Sequence, residues 1–300
     1  MKSGVVNVGG IELAFDQFGR DGDPVILLMM GNSAPGIVWP DRFCEVLAAA
    51  ELRVVRYDQR DTGLSTYVDF EERPYTLDDL VGDAFGLLDC LGIGRCHIAG
   101  LSQGGVTALM AGLKHPERVA SITTLMSSPD LGPKNDAFTG KPEKPGQLPR
   151  PAADYVRAVI ALNSAPTQSD EEAAVRFVEN FRLAAGPKSP FDEGFWLAMG
   201  RGVVARRHAG LAKMANHSNH SKAQIATAPL TAADLAHLDL PCLVIHGSMD
   251  PIFPPAHAEW AAAMLPRAEL SVVADMGHAL DPAFIEPVAS RIAAFVRQAS

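Results

Sequence analysis

Cysteines are few in this sequence, long apolar runs are missing, and basic residues are not in excess. The four cysteines, Cys44, Cys90, Cys96 and Cys242, lie far apart and form no CxxC spacing, which favours reduced thiols over a disulfide framework. No run approaches the roughly 18 apolar residues of a membrane span, and the N-terminus lacks the pattern of a signal peptide. These absences predict a cytoplasmic protein without a membrane-spanning segment.

The charge balance is acidic, with 35 acidic residues, 26 basic residues and a formal net charge of −9. Proteins that bind nucleic acid usually carry basic surfaces, so we expect no nucleic-acid partner. Apolar residues make up 47% of the chain and charged residues 20%, which are ordinary proportions for a globular enzyme. A chain of 300 residues also buries a core large enough to need no disulfide or metal support.

Short apolar runs alternate with helical patterns towards both ends of the sequence. Between the runs, Thr76–Leu91 and Gln103–His115 repeat apolar residues at helical spacing. This rhythm predicts an α/β fold with a mostly parallel sheet and helices on both faces. The predicted strands are Glu12–Phe18, Val25–Met30, Arg53–Tyr57, Cys96–Ala99, Ser121–Met126, Cys242–Ile245 and Glu269–Val273.

The α/β rhythm stops after Asp130. Residues 130–151 are rich in Pro, Gly and Lys and predict a long mobile connection. Three helical patterns without intervening strands follow, at Ala152–Leu162, Asp170–Ala185 and Glu193–Asn216, before the rhythm resumes at Pro241. We therefore expect residues 1–130 and 236–300 to form an α/β core, with residues 131–235 inserted as a helical cap, or lid.

One serine lies among clustered glycines directly after a predicted strand. Gly100-Leu101-Ser102-Gln103-Gly104 fits the pattern G-x-S-x-G between that strand and a predicted helix. In such a turn, small neighbours leave room for a tight backbone, and the serine hydroxyl stands at the carboxyl edge of the sheet. An ordinary glycine-rich turn is the alternative, but the position after an apolar strand favours a nucleophile.

A serine hydroxyl needs a base to accept its proton, and the base needs a carboxylate to fix its tautomer. His278, in the loop "DMGHAL" after the last predicted strand, is the candidate base, because this topology places the acid and then the base after the serine. Asp250, in the turn "GSMDP", is the favoured acid. Asp130, which follows an earlier strand, is the competing candidate.

Acyl transfer also requires hydrogen-bond donors for the oxyanion of the tetrahedral intermediate. The main-chain N–H of Gln103 is one candidate, because Gln103 follows the nucleophile. The second is Asn32, in the loop "MGNSAPG" after an apolar strand, acting through its main chain or also through its side-chain amide. A glycine-rich turn without a catalytic part is the alternative for this loop.

At these residues the sequence resembles a serine α/β-hydrolase with a helical cap, over essentially its whole length. Within that superfamily, the segments "MMGN…WPDRF", "RYDQRDTGLST", "GLSQGG" and "MGHAL" are similar to the aclacinomycin methylesterase group of polyketide-tailoring enzymes. The resemblance implies an eight-stranded sheet, a triad of Ser102, Asp250 and His278, and oxyanion donors at Asn32 and Gln103.

The sequence departs from that family at two positions. Met30-Gly31 stands where much of the superfamily has His-Gly, and Gln103 stands where the methylesterase group has methionine. The predicted reaction is nevertheless two-step ester hydrolysis through an acyl-enzyme, which needs no cofactor and no metal.

The expected substrate is a medium to bulky hydrophobic ester of a small molecule, and the resemblance alone implies a methyl ester. A related reaction at a lactone or a carbon–carbon bond, and a ligand-binding homologue without turnover, remain as alternatives. Apolar side chains of the predicted cap provide surface for the roof of a pocket, although packing onto the core is the favoured interpretation. They are Phe177, Phe181, Phe191, Phe195, Trp196, Met199 and Met214.

Three further features invite a functional interpretation. His217 and His220 have a spacing that metal ligands on a helix use, but no third ligand lies close in sequence, so we expect no metal site. His246 is interpreted as packing at the end of a strand. The segment "DQRDTG" is expected to shape its own loop through Asp58, Arg60 and Gly63.

Overall fold

The computed structural model describes residues 1–207 and 218–299. An eight-stranded sheet forms its centre, in the order β1-β2-β4-β3-β5-β6-β7-β8. β2 is antiparallel to both of its neighbours, whereas the remaining adjacent pairs are parallel, which confirms the predicted mostly parallel sheet. The strands are β1 Lys2–Val8, β2 Ile11–Phe18, β3 Val25–Met29, β4 Arg53–Tyr57, β5 Cys96–Leu101, β6 Val119–Leu125, β7 Cys242–Gly247 and β8 Ala268–Val273.

Helices cover both faces of the sheet and explain why its central strand β3 is apolar at every position. In β3, Leu27 and Met29 belong to the apolar core on one face, and Ile26 and Leu28 belong to the core on the other. Successive strand residues point to opposite faces, so a strand that is covered twice must be apolar at every position. The helices that flank the sheet are α1 Asp41–Ala49, α2 Leu77–Cys90, α3 Gln103–Lys114, α10 Ala256–Met264 and α11 Pro282–Ala299.

Residues 131–235, here named the inserted segment, connect β6 to β7 and contain no strand in their described part. Asp170–Ala185 is helical as predicted, and the Ser169 hydroxyl caps it by accepting the Glu172 N–H. The helices of this segment are α4 Gly132–Phe138, α5 Ala153–Leu162, α6 Asp170–Ala185, α7 Glu193–Ala205, α8 Asn219–Ala226 and α9 Ala232–Ala236.

Two expectations for the inserted segment need comment. The prediction of a mobile connection over residues 130–151 is wrong in part, because α4 begins there with Pro133 in its first turn, where a missing N–H costs no helical hydrogen bond. The helix predicted for Glu193–Asn216 ends at Ala205 in the structure. Met214 and His217 lie outside the described residues.

The aromatic side chains of α6 and α7 pack mainly on one another. Trp196 is buried, and its ring centroid lies 4.3 Å from that of Phe181, 5.8 Å from Phe191 and 5.2 Å from Phe195. The Trp196 indole N–H donates to Asp281 of the core at 3.2 Å. The packing interpretation of these side chains is therefore favoured over the roof of a pocket.

An ion pair also joins the inserted segment to the core. Arg206, at the end of α7, contacts Asp58 Oδ2 with its Nε at 2.8 Å and Asp16 Oδ2 with its Nη2 at 3.3 Å. Asp58 additionally accepts the main-chain N–H groups of Gly36 and Leu64 at 2.8 and 2.9 Å. The carboxylate of Asp58 therefore ties the loop after β3, the loop after β4 and α7 together, which confirms that it shapes the "DQRDTG" loop.

None of the helices in the described ranges combines the length and the apolar composition that are needed to cross a membrane.

Candidate active site

Ser102 occupies a strained turn between β5 and α3. Its φ is +55° and its ψ is −120°, a conformation that costs a non-glycine residue about 1–3 kcal/mol. Hydrogen bonds from both sides hold it there: the Ser102 N–H donates to Leu125 O at 2.9 Å, and the Ser127 hydroxyl donates to Ser102 O at 2.6 Å. The turn therefore has the strained form that is expected of a nucleophile elbow.

The glycines around Ser102 are required because backbones approach one another closely. A Cβ on Gly100 would lie 2.0 Å from Gly104 O, and a Cβ on Gly104 would lie 2.2 Å from Met29 O. A Cβ on Gly105 would lie 2.5 Å from the Ser127 side chain. The glycines thus let the first turn of α3 lie directly on β3 and β5.

Asp250 and His278 form a buried hydrogen-bonded pair. Asp250 follows β7, and its Oδ2 lies 2.7 Å from Nδ1 of His278. Its other oxygen, Oδ1, accepts the N–H groups of Ile252 and Phe253 at 2.8 and 2.9 Å. A carboxylate acceptor at Nδ1 keeps the proton on that nitrogen and leaves Nε2 of His278 as the proton acceptor.

Asp130, the competing acid, has other partners. Its Oδ1 accepts the Gly132 N–H at 2.8 Å, and its main-chain oxygen accepts the Ser128 hydroxyl at the same distance. It makes no hydrogen bond to His278 in the described part of the chain. Asp250 is therefore the carboxylate that the structure brings to the imidazole.

Ser102 and His278 stand at the same edge of the sheet without a hydrogen bond between their side chains among the described residues. Both are nearly buried, with 9% and 7% of their surfaces exposed. A Cβ on Gly247 would lie 2.2 Å from Met276 O, because the loop after β8 crosses the end of β7 on its way to His278. Helix α6 of the inserted segment holds this loop, because the His278 N–H donates to Ala184 O at 2.8 Å.

The two predicted oxyanion donors flank Ser102. Gln103 is the first residue of α3, so its N–H has no carbonyl partner within the helix. The loop after β3 lies against the nucleophile, because a Cβ on Gly31 would be 3.2 Å from the Ser102 Cβ. The Asn32 main-chain N–H has no hydrogen-bond partner in the described ranges, and it is free to donate.

The side chain of Asn32 is occupied by other contacts. Its Nδ2 donates to the Ser221 hydroxyl of α8 at 2.9 Å, and its Oδ1 accepts the Ser33 hydroxyl at 2.7 Å. These contacts engage one N–H and the oxygen of the side-chain amide, whereas the main-chain N–H has no partner among the described residues.

The contacts of Gln103 and His220 were not foreseen from the sequence. The Gln103 amide donates to Gln224 Oε1 at 3.0 Å and to His220 O at 3.2 Å, both on α8. The His220 ring accepts the Ser33 N–H at Nδ1 at 3.0 Å, and its Nε2 lies 2.8 Å from Arg60 O. The only signal in the sequence for a role of His220 is the short segment "ANHSNHS", and its histidine spacing suggests metal ligands and not contacts to the loop after β3.

His246 packs beneath the acid, as expected for the end of a strand. Burial lowers the pKa of His246, so its ring is neutral, and its Nε2 lies 2.7 Å from Phe253 O. The same nitrogen is 3.5 Å from Oδ2 of Asp250. The two histidines and two main-chain N–H groups therefore surround the Asp250 carboxylate.

Comparison with known proteins places this chain in a family. Residues 24–280 match the family described as the alpha/beta hydrolase fold. The chain is 34% identical over 307 residues to rhodomycin D methylesterase DauP of Streptomyces sp. (strain C5), with all of both chains covered. It is also 34% identical over 297 residues to rhodomycin D methylesterase DnrP of Streptomyces peucetius, with 97% and 96% covered.

The fold recurs in solved structures of lower identity. A hydrolase from Pseudomonas aeruginosa PA01 superposes with a TM-score of 0.71 at 24% identity, covering 98% of each chain. The enol-lactonase from Burkholderia xenovorans LB400 also gives 0.71, at 21% identity and covering 98% and 100%. The protein belongs to the α/β-hydrolase family. Its curated relatives confirm the resemblance to the methylesterase group and support a carboxylic ester hydrolase.

Proposed function

We propose that the protein is a serine carboxylic-ester hydrolase that uses Ser102, His278 and Asp250. The observation that carries the proposal is the buried pair of His278 and Asp250, at the sheet edge that also carries the strained Ser102 turn. A neutral imidazole with a free Nε2 and a carboxylate behind it is what activation of a serine hydroxyl requires.

The proposed reaction has two steps. His278 accepts the Ser102 proton as the hydroxyl attacks the ester carbonyl, and the oxyanion binds the main-chain N–H groups of Asn32 and Gln103. His278 then protonates the leaving alcohol, which leaves an acyl group on Ser102. In the second step His278 takes a proton from water as the water oxygen attacks the acyl-enzyme, and it returns that proton to the Ser102 oxygen when the bond to the acyl group breaks and the acid is released. Asp250 stays ionised throughout.

The proposed substrate is a medium to bulky hydrophobic ester, with a methyl ester favoured by the similarity to the two rhodomycin D methylesterases. We further propose that the inserted segment acts as the cap over this site. Its contacts support that role, because Ala184, Ser221 and Gln224 hold the His278 loop, Asn32 and Gln103, respectively.

Ser102→Ala tests the proposal. We expect covalent labelling by a fluorophosphonate probe to vanish and turnover of p-nitrophenyl esters to fall by about 10³-fold or more, while the unfolding temperature stays near that of the wild type. Ser127→Ala is a matched control, because it removes a neighbouring hydroxyl that only holds the turn, and it should remain labelled.

Retained labelling and turnover in a folded Ser102→Ala protein would refute the proposal. A panel of esters, lactones and diketones then defines the bond cleaved. Turnover of lactones or diketones without esters would keep the proposed nucleophile and replace the substrate class.

A further inference from the structure

We propose that His220 and Ser221, on helix α8 of the inserted segment, are positioning residues that orient the oxyanion loop, residues 31–36. This inference rests on the proposed function. It adds that a donor to the oxyanion is held in place by a helix more than 180 residues away in sequence.

Two contacts from α8 bracket the Asn32 peptide. The Ser221 hydroxyl accepts the Asn32 side-chain N–H at 2.9 Å. One residue later, Nδ1 of His220 accepts the Ser33 N–H at 3.0 Å. The Asn32 main-chain N–H, the proposed oxyanion donor, is bonded to the same Cα from which the Asn32 side chain branches, and it has no partner in the described part of the chain. The two contacts hold the Asn32 side chain and the peptide that follows it, and so restrict the direction in which this N–H points.

The loop needs such support because its backbone is strained. Ser33 has a φ of +58°, in the left-handed region that serine adopts only at a cost. The hydrogen bond from the Ser33 N–H to Nδ1 of His220 stabilises this conformation. Without it, the peptide between Asn32 and Ser33 loses a support for this conformation, and the preceding peptide, which carries the Asn32 N–H, shifts with it.

The His220 imidazole is itself held in place, so it can hold the Ser33 N–H in a defined position. His220 is fully buried, and its Nε2 lies 2.8 Å from the main-chain oxygen of Arg60. With a carbonyl at Nε2 and an N–H at Nδ1, the ring must carry its proton on Nε2. α8 is anchored as well, because the Asn219 amide donates to Asp61 Oδ2 at 3.1 Å and to Val68 O at 3.3 Å.

Two substitutions test the contacts of the two ring nitrogens of His220 separately. His220→Asn keeps an oxygen acceptor near the position of Nδ1 and loses the contact to Arg60. His220→Gln keeps an amide donor near the position of Nε2 and loses the acceptor for Ser33. Each variant keeps one of these two hydrogen bonds and loses the other. His97→Asn, at the start of β5 where the imidazole bonds Ser121, controls for the general cost of losing a buried histidine.

For the pair we measure kcat and KM on p-nitrophenyl esters together with hydrogen exchange at the Ser33 amide. His220→Gln should lower kcat by about tenfold or more with KM within about threefold, and it should expose the Ser33 amide to exchange. His220→Asn and His97→Asn should stay within about threefold of the wild-type kcat and keep the Ser33 amide protected.

Equal kcat losses in the Asn and Gln variants, a loss confined to KM, or unchanged exchange at Ser33 in His220→Gln would each overturn the inference. If His220→Gln does not fold, Ser221→Ala replaces it. This variant leaves His220 in place and should lower kcat about threefold to tenfold, whereas an unchanged kcat overturns the inference. Absence of ester hydrolysis in the wild type would contradict the proposed function. The contact between the Ser33 N–H and His220 could still be measured then, because amide exchange does not depend on turnover.

Discussion

Single residues decide which carboxylate supports the proposed base. Asp250 accepts from the His278 ring and from two main-chain N–H groups, whereas Asp130 accepts from Gly132. Asp250→Asn should reduce kcat/KM by about 10³- to 10⁴-fold, because an amide at this position favours the wrong tautomer of the imidazole. Asp130→Asn should stay within about threefold of the wild type.

Steady-state kinetics on one p-nitrophenyl ester checks both variants side by side. Circular dichroism spectra that match the wild type make the comparison valid. A larger loss from Asp130→Asn than from Asp250→Asn would assign the acid to Asp130.

A second residue-scale prediction concerns pH and stability. Burial lowers the pKa of His97 from 6.5 to about 4, so the folded protein holds this ring neutral. Between these two values the unfolded chain binds a proton that the folded chain does not, and the free energy of unfolding therefore falls as the pH drops. His97→Asn should flatten this decline by about 1–3 kcal/mol over that interval, as measured by urea denaturation.

His115 provides the control for this experiment. It lies at the end of α3 and is only partly buried, so His115→Asn should change the slope of unfolding free energy against pH less than His97→Asn does. Equal slopes of unfolding free energy against pH in the wild type and in His97→Asn would show that other groups control the loss of stability in acid.

Within the elements, periodicity and end signals made most of the fold predictable. α6 has the bounds that its pattern predicts, because apolar spacing and the Ser169 cap define it locally. β1 was not predicted, since an edge strand with half of its residues exposed carries only a weak apolar pattern. α4 was missed because its proline and glycine suggest a loop unless the neighbouring elements are known.

The packing of α3 on the sheet gives an element-scale prediction. A Cβ on Gly104 would lie 2.2 Å from Met29 O and 2.7 Å from Met30 O, and these are backbone atoms that cannot move aside. Gly104→Ala should therefore lower the free energy of unfolding by about 3 kcal/mol or more and displace the nucleophile elbow, with a matching loss of fluorophosphonate labelling.

Gly82 supplies the matched control for that prediction. It lies within α2 and a Cβ there would meet nothing within 4 Å. Gly82→Ala should raise the free energy of unfolding by about 0.5–1 kcal/mol, because alanine loses less backbone entropy in a helix. Equal effects of the two substitutions in denaturant titrations would contradict the steric argument.

Across the whole molecule, one part of the candidate site could be predicted from the sequence, and its contacts with the inserted segment could not. Ser102, Asp250 and His278 each follow a strand by a short, recognisable turn, so their convergence follows from parallel topology. The partners of Asn32 and Gln103 on α8 lie more than 110 residues away. Side-chain contacts between an inserted segment and a core depend on how the two pack together, and no local pattern encodes that.

The ion pair between the inserted segment and the core leads to the last prediction. Burial raises the pKa of Asp58, an effect that Arg206 and the N–H groups of Leu64 and Gly36 oppose. Arg206→Met keeps much of the side-chain volume but leaves a buried carboxylate without its cation, which should cost about 3–5 kcal/mol of unfolding free energy near neutral pH. The loss should shrink in acid, because a protonated Asp58 no longer needs a cation.

Asp58→Asn distinguishes a charge effect from lost packing. If the two charges interact, Arg206→Met should cost much less in an Asp58→Asn background than in the wild type, and a double-mutant cycle of urea denaturation measures the difference. Arg206→Met also removes the contact of Arg206 with Asp16 in both backgrounds, so part of the loss should persist although Asp16 keeps its pairing with Arg56. Strictly additive losses at both acidic and neutral pH would mean that Arg206 joins the inserted segment to the core through packing alone.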